Sequence, residues 1–212
     1  RPVGILVDAL RSLGADITYT EQKGYPPLKI RGGVLRGGSI TLDGSVSSQF
    51  ISAMLLIAPC LAGGLQLRVK GPVVSFPYTG MTLTMMKRFG ADHTLRMEQD
   101  DLVITVPPGR YKPRPYTIES DWSAASYWFE AAALSDEADL LFRGLMKDSL
   151  QGDSVICKIM ERFGVSTSFS AEGARLIKKG SVALPETLEL DCSGFPDLVP
   201  ALAVTCAASG VK

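Results

Sequence analysis

The feature that most restricts what this chain can fold into is that it repeats itself. Three helix ends align as Leu10-Arg-Ser-Leu-Gly14, Lys87-Arg-Phe-Gly90 and Glu161-Arg-Phe-Gly164, a spacing of 76 residues from Gly14 to Gly90 and 74 from Gly90 to Gly164. Self-similarity at a fixed period means that each repeat is one supersecondary unit, so the same elements must recur in the same order.

The elements can be read between those markers. Pro2 to Gly14 carries Ile5, Leu6, Ala9, Leu10 and Leu13 near the 3.6 period and closes on a glycine, which predicts a helix. Strands are expected at Asp16 to Thr20 and Leu28 to Gly33 around a Gly24-Tyr-Pro-Pro turn, and again at Ser39 to Asp43. The polar stretch Gly44 to Gln49 then leads into a buried helix reaching Ala62. A strand at Leu65 to Val69, a loop at Gly71 to Pro77 and a helix from Met81 to Phe89 follow. Two strands, Thr94 to Gln99 and Leu102 to Val106, are expected to turn at Asp100-Asp101. The next round reads as a strand at Tyr116 to Glu119, helices at Asp121 to Leu134 and Asp153 to Phe163 around a strand at Asp139 to Phe142, and a hairpin over Val165 to Ile177. A third round opens with a strand at Leu188 to Asp191 and a helix from Pro196 to Ala208. Each unit is βαβαββ, and the fold class is α/β (α+β).

Composition then removes whole classes of function. The 212 residues hold 22 basic and 22 acidic side chains, so the formal net charge is zero and there is no electrostatic footprint for a nucleic-acid backbone or an anionic membrane. The longest apolar run, Ile51 to Ala62, is broken by Ser52 and Pro59 and falls short of the roughly 20 residues a membrane span needs. Cys60, Cys157, Cys192 and Cys206 form no CxxC pair and read as small buried hydrophobes in a reducing compartment. His93 is the single histidine, which leaves a His-based triad without support. No clustered Cys/His set, GxxxxGK[ST] loop or strand-linked GxGxxG is present, so neither a metal nor a nucleotide cofactor is indicated. With no initiator Met at Arg1 and no element closing the last helical run, the chain reads as a piece of a longer protein, cut at both ends.

The chemistry should lie where strands turn into helices. Leu42-Asp-Gly-Ser, Glu119-Ser-Asp-Trp-Ser and Leu190-Asp-Cys-Ser each place small polar residues before an apolar helix, where unpaired N–H groups and the helix dipole favour an anion. In the first, Ser45, Ser47, Ser48 and Gln49 offer three hydroxyls and a carboxamide, suited to phosphate oxygens and equally to an N-cap with spare serines. Lys70 to Tyr78 is a rigid loop carrying a cation, the Ser75 hydroxyl and an aromatic face. Arg1 could grip a carboxylate or phosphate, or simply be solvated. Asp197, after Pro196 at a helix start, is a first-turn charge or a general base. Asp121 reads as a cap, and Trp122, Tyr127, Trp128 and Phe129 as core with one aromatic at an edge.

Taken in order, Arg1-Pro-Val-Gly-Ile-Leu-Val-Asp-Ala-Leu-Arg, Tyr25-Pro-Pro-Leu, Asp43-Gly-Ser-Val-Ser-Ser-Gln49, Lys70-Gly to Ser75-Phe-Pro-Tyr78, Asp121 to Tyr127 and Pro196-Asp197 closely resemble the 3-phosphoshikimate 1-carboxyvinyltransferase (EPSP synthase) family along the whole chain. The resemblance implies transfer of the enolpyruvyl group of phosphoenolpyruvate to the 5-hydroxyl of shikimate 3-phosphate, with release of phosphate, on the route to chorismate and the aromatic amino acids. It implies a two-lobed, inside-out barrel of βαβαββ units, with residues 1–119 in the first lobe and 120–212 in the second. By position Ser47, Ser48, Gln49, Ser75, Tyr78 and Asp197 match shikimate 3-phosphate ligands, Arg1 and Gln49 match phosphoenolpyruvate ligands, and Asp197 matches the proton acceptor. The resemblance also implies a cytoplasmic monomer with no metal or organic cofactor, whose partners are those two small molecules and neither nucleic acid nor membrane. The family's N-terminal Lys-Ser…Arg element and its C-terminal Asn, Lys, Glu and Arg positions are not among residues 1–212, so negligible turnover is expected of this chain alone.

Three rivals compete. The UDP-N-acetylglucosamine enolpyruvyltransferase of cell-wall synthesis commonly uses a loop cysteine, and neither Cys60 nor Cys192 sits in a basic flexible loop. A non-catalytic phosphate-binding domain of the same fold has no need of Gln49, Arg1 and Asp197 together. An RNA-phosphate-processing enzyme with a similar repeat is opposed by the neutral charge and the single histidine.

Overall fold

The repeat reappears in the element order of the computed structural model, which describes residues 2–45, 47–73 and 75–212. The chain divides between Arg114 and Pro115 into two compact units. The first runs α1 (Gly4–Ser12), β1 (Asp16–Tyr19), β2 (Leu28–Arg31), β3 (Gly38–Asp43), α2 (Ser48–Ile57), β4 (Leu65–Lys70), α3 (Phe76–Arg88), β5 (Thr94–Glu98) and β6 (Asp101–Val106). From β3 to β6 this is one full βαβαββ repeat, and α1-β1-β2 is the αββ end of another.

In the first unit β1 and β2 form an antiparallel pair, and the other strands form a sheet in the order β3-β4-β6-β5. β3 and β4 are parallel, with Ile40 opposite Leu67, while β6 runs antiparallel to both β4 and β5. Leu65, Leu67 and Val69 are buried and the intervening Gln66, Arg68 and Lys70 are less so, the period-two pattern of a strand with one face on a core. That core takes in Ile51, Met54 and Leu55 of α2 and Leu83 and Met86 of α3, each set at helical spacing. Every such fully buried Leu or Ile contributes about 2 kcal/mol relative to an exposed one.

The second unit runs α4 (Trp122–Leu134), β7 (Glu137–Arg143), α5 (Ile156–Met160), β8 (Ser166–Ser170), β9 (Gly173–Lys179) and α6 (Val199–Ser209). Its sheet is antiparallel in the order β7-β9-β8. Trp122, Phe129, Ile156, Met160, Phe163, Leu176 and Leu198 make its core, and the Trp122 and Phe129 rings stack with centroids 6.3 Å apart.

Several expectations are corrected. Tyr116 to Glu119 is not a strand: Glu119 is drawn into a side-chain network with residues 146–151, and the ladder-like bond that remains is Ser120 N–H to Gly144 O at 2.9 Å. Leu188 to Asp191 is not a strand either, since Leu188 N–H bonds Lys212 O at 2.7 Å and no neighbouring strand. The β5–β6 turn is at Gln99-Asp100, with Gln99 left-handed at φ 57°, because Asp101 already pairs with Glu98. α3 starts at Phe76, five residues ahead of the expected Met81, since Pro77 suits a first helical turn. The cysteine reading fails for Cys60, which is exposed at the end of a 3-10 turn that buries Ala58 and Pro59 instead, and holds only in part for Cys157, Cys192 and Cys206, which are half-buried against the second core. Of the four clustered aromatics, Trp122 and Phe129 are core, while Tyr127 and Trp128 are each 55% exposed on the opposite side of α4.

Candidate functional site

Topology places two helix starts side by side. β3 and β4 run in the same direction, with Asp43 opposite Lys70, and each continues from its C-terminal end into a helix. β5 is parallel to β4 as well, both being antiparallel to β6, so α3 is a crossover helix on the same sheet face as α2 by the right-handed rule. The two helices pack together, and Ser52 Oγ meets Thr82 Oγ1 at 2.9 Å. Both N-termini, each the positive end of a helix dipole, therefore open at the C-terminal edge of the parallel strands, the place where α/β sheets hold ligands.

The chain builds this edge from small residues for steric reasons. Gly44 N–H donates to Lys70 O at 2.8 Å, tying the β3–α2 turn to the β4–α3 loop. A Cβ at position 44 would lie 2.7 Å from Pro72 O and 2.9 Å from Lys70 O, so only glycine permits that approach. Asp43 accepts from Ser45 N–H at 2.9 Å and Ser45 Oγ–H at 2.7 Å, and these bonds, the hydroxyl's first, hold its carboxyl below the usual carboxylate range. Ser47 is exposed and caps α2, its Oγ accepting Gln49 N–H at 3.3 Å. Ser48 is half-buried and Gln49 exposed, and neither side chain makes a hydrogen bond among the described residues.

Across the edge, Ser75 is buried immediately before α3, with φ 56° and ψ 38°. A non-glycine residue held in the left-handed region costs about 1 kcal/mol or more, and such positions cluster at ligand sites. Ser75 O accepts Tyr78 N–H at 3.0 Å, which sets half-buried Tyr78 on the first turn of α3. The structure thus brings Ser47, Ser48, Gln49, Ser75 and Tyr78 to two adjacent helix starts. Among the described residues no carboxylate caps α2, so its N-terminus keeps its positive character. Hydroxyls and N–H groups arranged in this way can hold a phosphate without a metal.

Asp197 lies in the second unit, exposed, in the 3-10 turn Pro196–Leu198 that leads into α6. Its neighbour Leu198 is fully buried with Trp122 in the second core, which anchors the turn and turns the carboxylate outward. Arg1 lies outside the described residues. Asp121 is a cap, accepting from Ser123 N–H at 2.8 Å and Ala124 N–H at 3.2 Å.

His93 is half-buried, its Nδ1 lacks a partner among the described residues, and burial with nearby Lys87 lowers its pKa. Burial pushes the Cys157 thiol up to about 11, the opposite of an activated nucleophile. Among the described residues no group of His, Cys, Asp and Glu is placed to hold a metal ion, and no helix is long and apolar enough to cross a membrane.

Sequence reasoning missed two residues. Glu119 organises the start of α4, a role that its place in the strand-to-helix turn did not reveal. Thr79 is a polar residue on the buried face of α3, visible only as a break in an apolar stripe.

These features define an α/β repeat protein of the enolpyruvyltransferase fold. The enolpyruvyl transferase NikO from Streptomyces tendae has that fold, with a TM-score of 0.66 over 98% of this chain and 49% of its own, at 19% identity. The profile of the family described as EPSP synthase (3-phosphoshikimate 1-carboxyvinyltransferase) matches residues 1–211, and the chain belongs to that family. The 3-phosphoshikimate 1-carboxyvinyltransferase of Bacteroides fragilis is 49% identical over 207 residues, 98% of this chain and 49% of the relative. That of Syntrophobacter fumaroxidans is 40% identical over 210 residues, 99% of this chain and 48% of the relative. The EPSP synthase structure from Acinetobacter baumannii has a TM-score of 0.66 at 27% identity, over 98% of this chain and 46% of that one. The chain spans about half the length of the curated relatives it matches.

Proposed function

We propose that the whole protein transfers the enolpyruvyl group of phosphoenolpyruvate to the 5-hydroxyl of shikimate 3-phosphate, giving 5-enolpyruvylshikimate 3-phosphate and phosphate. The observation that carries this reading is the pair of adjacent helix starts, Ser47–Gln49 and Ser75–Tyr78, in a chain of this family. Both substrates are anionic, and the reaction removes a proton from a hydroxyl and delivers one to a vinyl carbon, so cations, hydroxyls and one carboxylate suffice. In this reading Ser47, Ser48 and Ser75 bind the 3-phosphate, Tyr78 lies against the shikimate ring, and Gln49 reaches both substrates. Arg1 holds phosphoenolpyruvate, and Asp197 contacts the shikimate hydroxyls and accepts the 5-hydroxyl proton.

The proposal assigns residues 1–119 and 120–212 to the two lobes of a cytoplasmic monomer with no metal or organic cofactor and no nucleic-acid partner. The zero net charge supports the last point. The test is phosphate release by the whole protein given phosphoenolpyruvate with either shikimate 3-phosphate or UDP-N-acetylglucosamine. Release with shikimate 3-phosphate alone, reduced about 100-fold or more by Asp197→Ala, is the expected result. Release with the UDP-sugar moves the function to cell-wall synthesis. The 212-residue chain alone is expected to release no more phosphate than its Gln49→Ala variant.

A further inference from the structure

Thr79, in the first turn of α3, is 0% exposed, and its hydroxyl has no hydrogen-bond partner among the described residues. The other fully buried helix threonine is satisfied, Thr205 donating to Ala201 O at 2.8 Å, and Thr82 on α3 donates to Tyr78 O at 3.0 Å. A helical threonine ordinarily reaches the carbonyl four residues back. For Thr79 that residue is Ser75, whose backbone is left-handed and whose carbonyl already accepts from Tyr78. A buried hydroxyl left without a partner lowers stability, so a retained one implies a partner in some state of the protein.

The helix pairing places Thr79 one turn from a contact between α2 and α3. α2 and α3 run in the same direction and touch at Ser52 and Thr82. One turn nearer the N-termini, on the same faces, stand Ser48 on α2 and Thr79 on α3. Ser48 is itself half-buried, with its hydroxyl unengaged among the described residues.

We propose that Thr79 is a positioning residue of the phosphate site: with ligand bound, its O–H donates to Ser48 Oγ, leaving the Ser48 O–H directed at a phosphate oxygen. This deepens the reading of the site given above and rests on it. The experiment uses the whole protein and compares Thr79→Val, which keeps the shape and loses the hydroxyl, with Thr79→Ser, which keeps the hydroxyl. Melting temperature is measured without ligand and with shikimate 3-phosphate or inorganic phosphate, together with KM and kcat.

Ligand-free Thr79→Val is expected to melt at or above the wild-type temperature, since an unpartnered hydroxyl has been removed. Its stabilisation by shikimate 3-phosphate shrinks and KM for that substrate rises about fivefold, with kcat within about twofold. Thr79→Ser restores both. A lower ligand-free melting temperature in Thr79→Val, or failure to fold, shows a structural hydroxyl and overturns the inference, as does an unchanged KM and ligand shift. If wild type itself shows no shift with shikimate 3-phosphate while Gln49→Ala behaves identically, the functional reading fails and this inference falls with it.

Discussion

The turns into α2 and α4 occupy the same place in successive repeats and share a backbone bond, Gly44 N–H to Lys70 O at 2.8 Å in one and Ser120 N–H to Gly144 O at 2.9 Å in the other. Their polar groups are used in opposite ways. At α4, Trp122 N–H donates to Gln151 Oε1 at 2.9 Å and Asp121 takes the next two amides. Glu119 accepts from Trp122 Nε1, Met146 N, Ser149 Oγ and Gln151 Nε2 at 2.7 to 3.2 Å, and Ser123 Oγ bonds buried Asp153. At α2, among the described residues, one hydroxyl caps one amide and the Asp43 side chain bonds only its neighbour Ser45. A repeat can therefore spend one copy of a turn on its own cohesion and leave the other copy open to a ligand. The carboxylate cap also cancels the positive helix end at α4, whereas the hydroxyl cap preserves it at α2.

The largest effect that tests this contrast is Glu119→Ala, which removes the acceptor of Met146 N, Ser149 Oγ and the indole N–H of fully buried Trp122, and one of the two acceptors of Gln151 Nε2. We expect a loss of about 3 kcal/mol in urea unfolding of the whole protein, followed by tryptophan fluorescence. Asp43→Ala should cost much less, and equal losses from the two would abolish the distinction.

Exchanging stability for affinity sharpens it at the caps. Asp121→Ala should destabilise by about 1 to 2 kcal/mol, while Ser47→Ala, which loses a longer bond from a neutral oxygen, should cost about 0.5 kcal/mol. Shikimate 3-phosphate affinity, read by calorimetry, should fall about tenfold only in the serine variant. A Ser47→Ala protein that binds normally would make that serine a plain cap.

The smallest effect separates the cysteines. Cys60 in the first unit should react with iodoacetamide well before Cys157 in the second. The folded-state pKa of Cys157 is raised from 9.0 to about 11, so its contribution is fully present below about pH 9 and is lost as pH rises towards 11. Cys157→Ala should flatten that alkaline decline, and a variant that melts with the wild-type pH dependence would refute the assignment.

Much of the fold was legible because it rests on short-range rules. The spacing of Ile51, Met54 and Leu55 marks a buried helix face, and the alternation from Leu65 to Val69 marks a strand. Failures came where a distant partner overrode the local signal. Tyr116 to Glu119 has strand-like residues, yet Glu119 is claimed by residues about 30 positions away. Cys60 sits in an apolar run, but the turn after α2 faces it outward. In the candidate site, the serines and Gln49 stood out as a polar run before an apolar helix. Thr79 could not, because a lone polar residue on a buried face has no meaning until its neighbours are known.

By itself the sequence determined the repeat, the order of helices and strands and the hydroxyl-rich turns, since backbone sterics, capping and the burial period act over a few residues. Only the tertiary structure decided that α2 and α3 start side by side, that Gly44 lets their loops touch, and that Glu119 closes one turn while its counterpart stays open. Those outcomes depend on contacts between residues about 30 apart in the chain, such as Ser52 with Thr82 and Glu119 with Ser149, which no local pattern encodes.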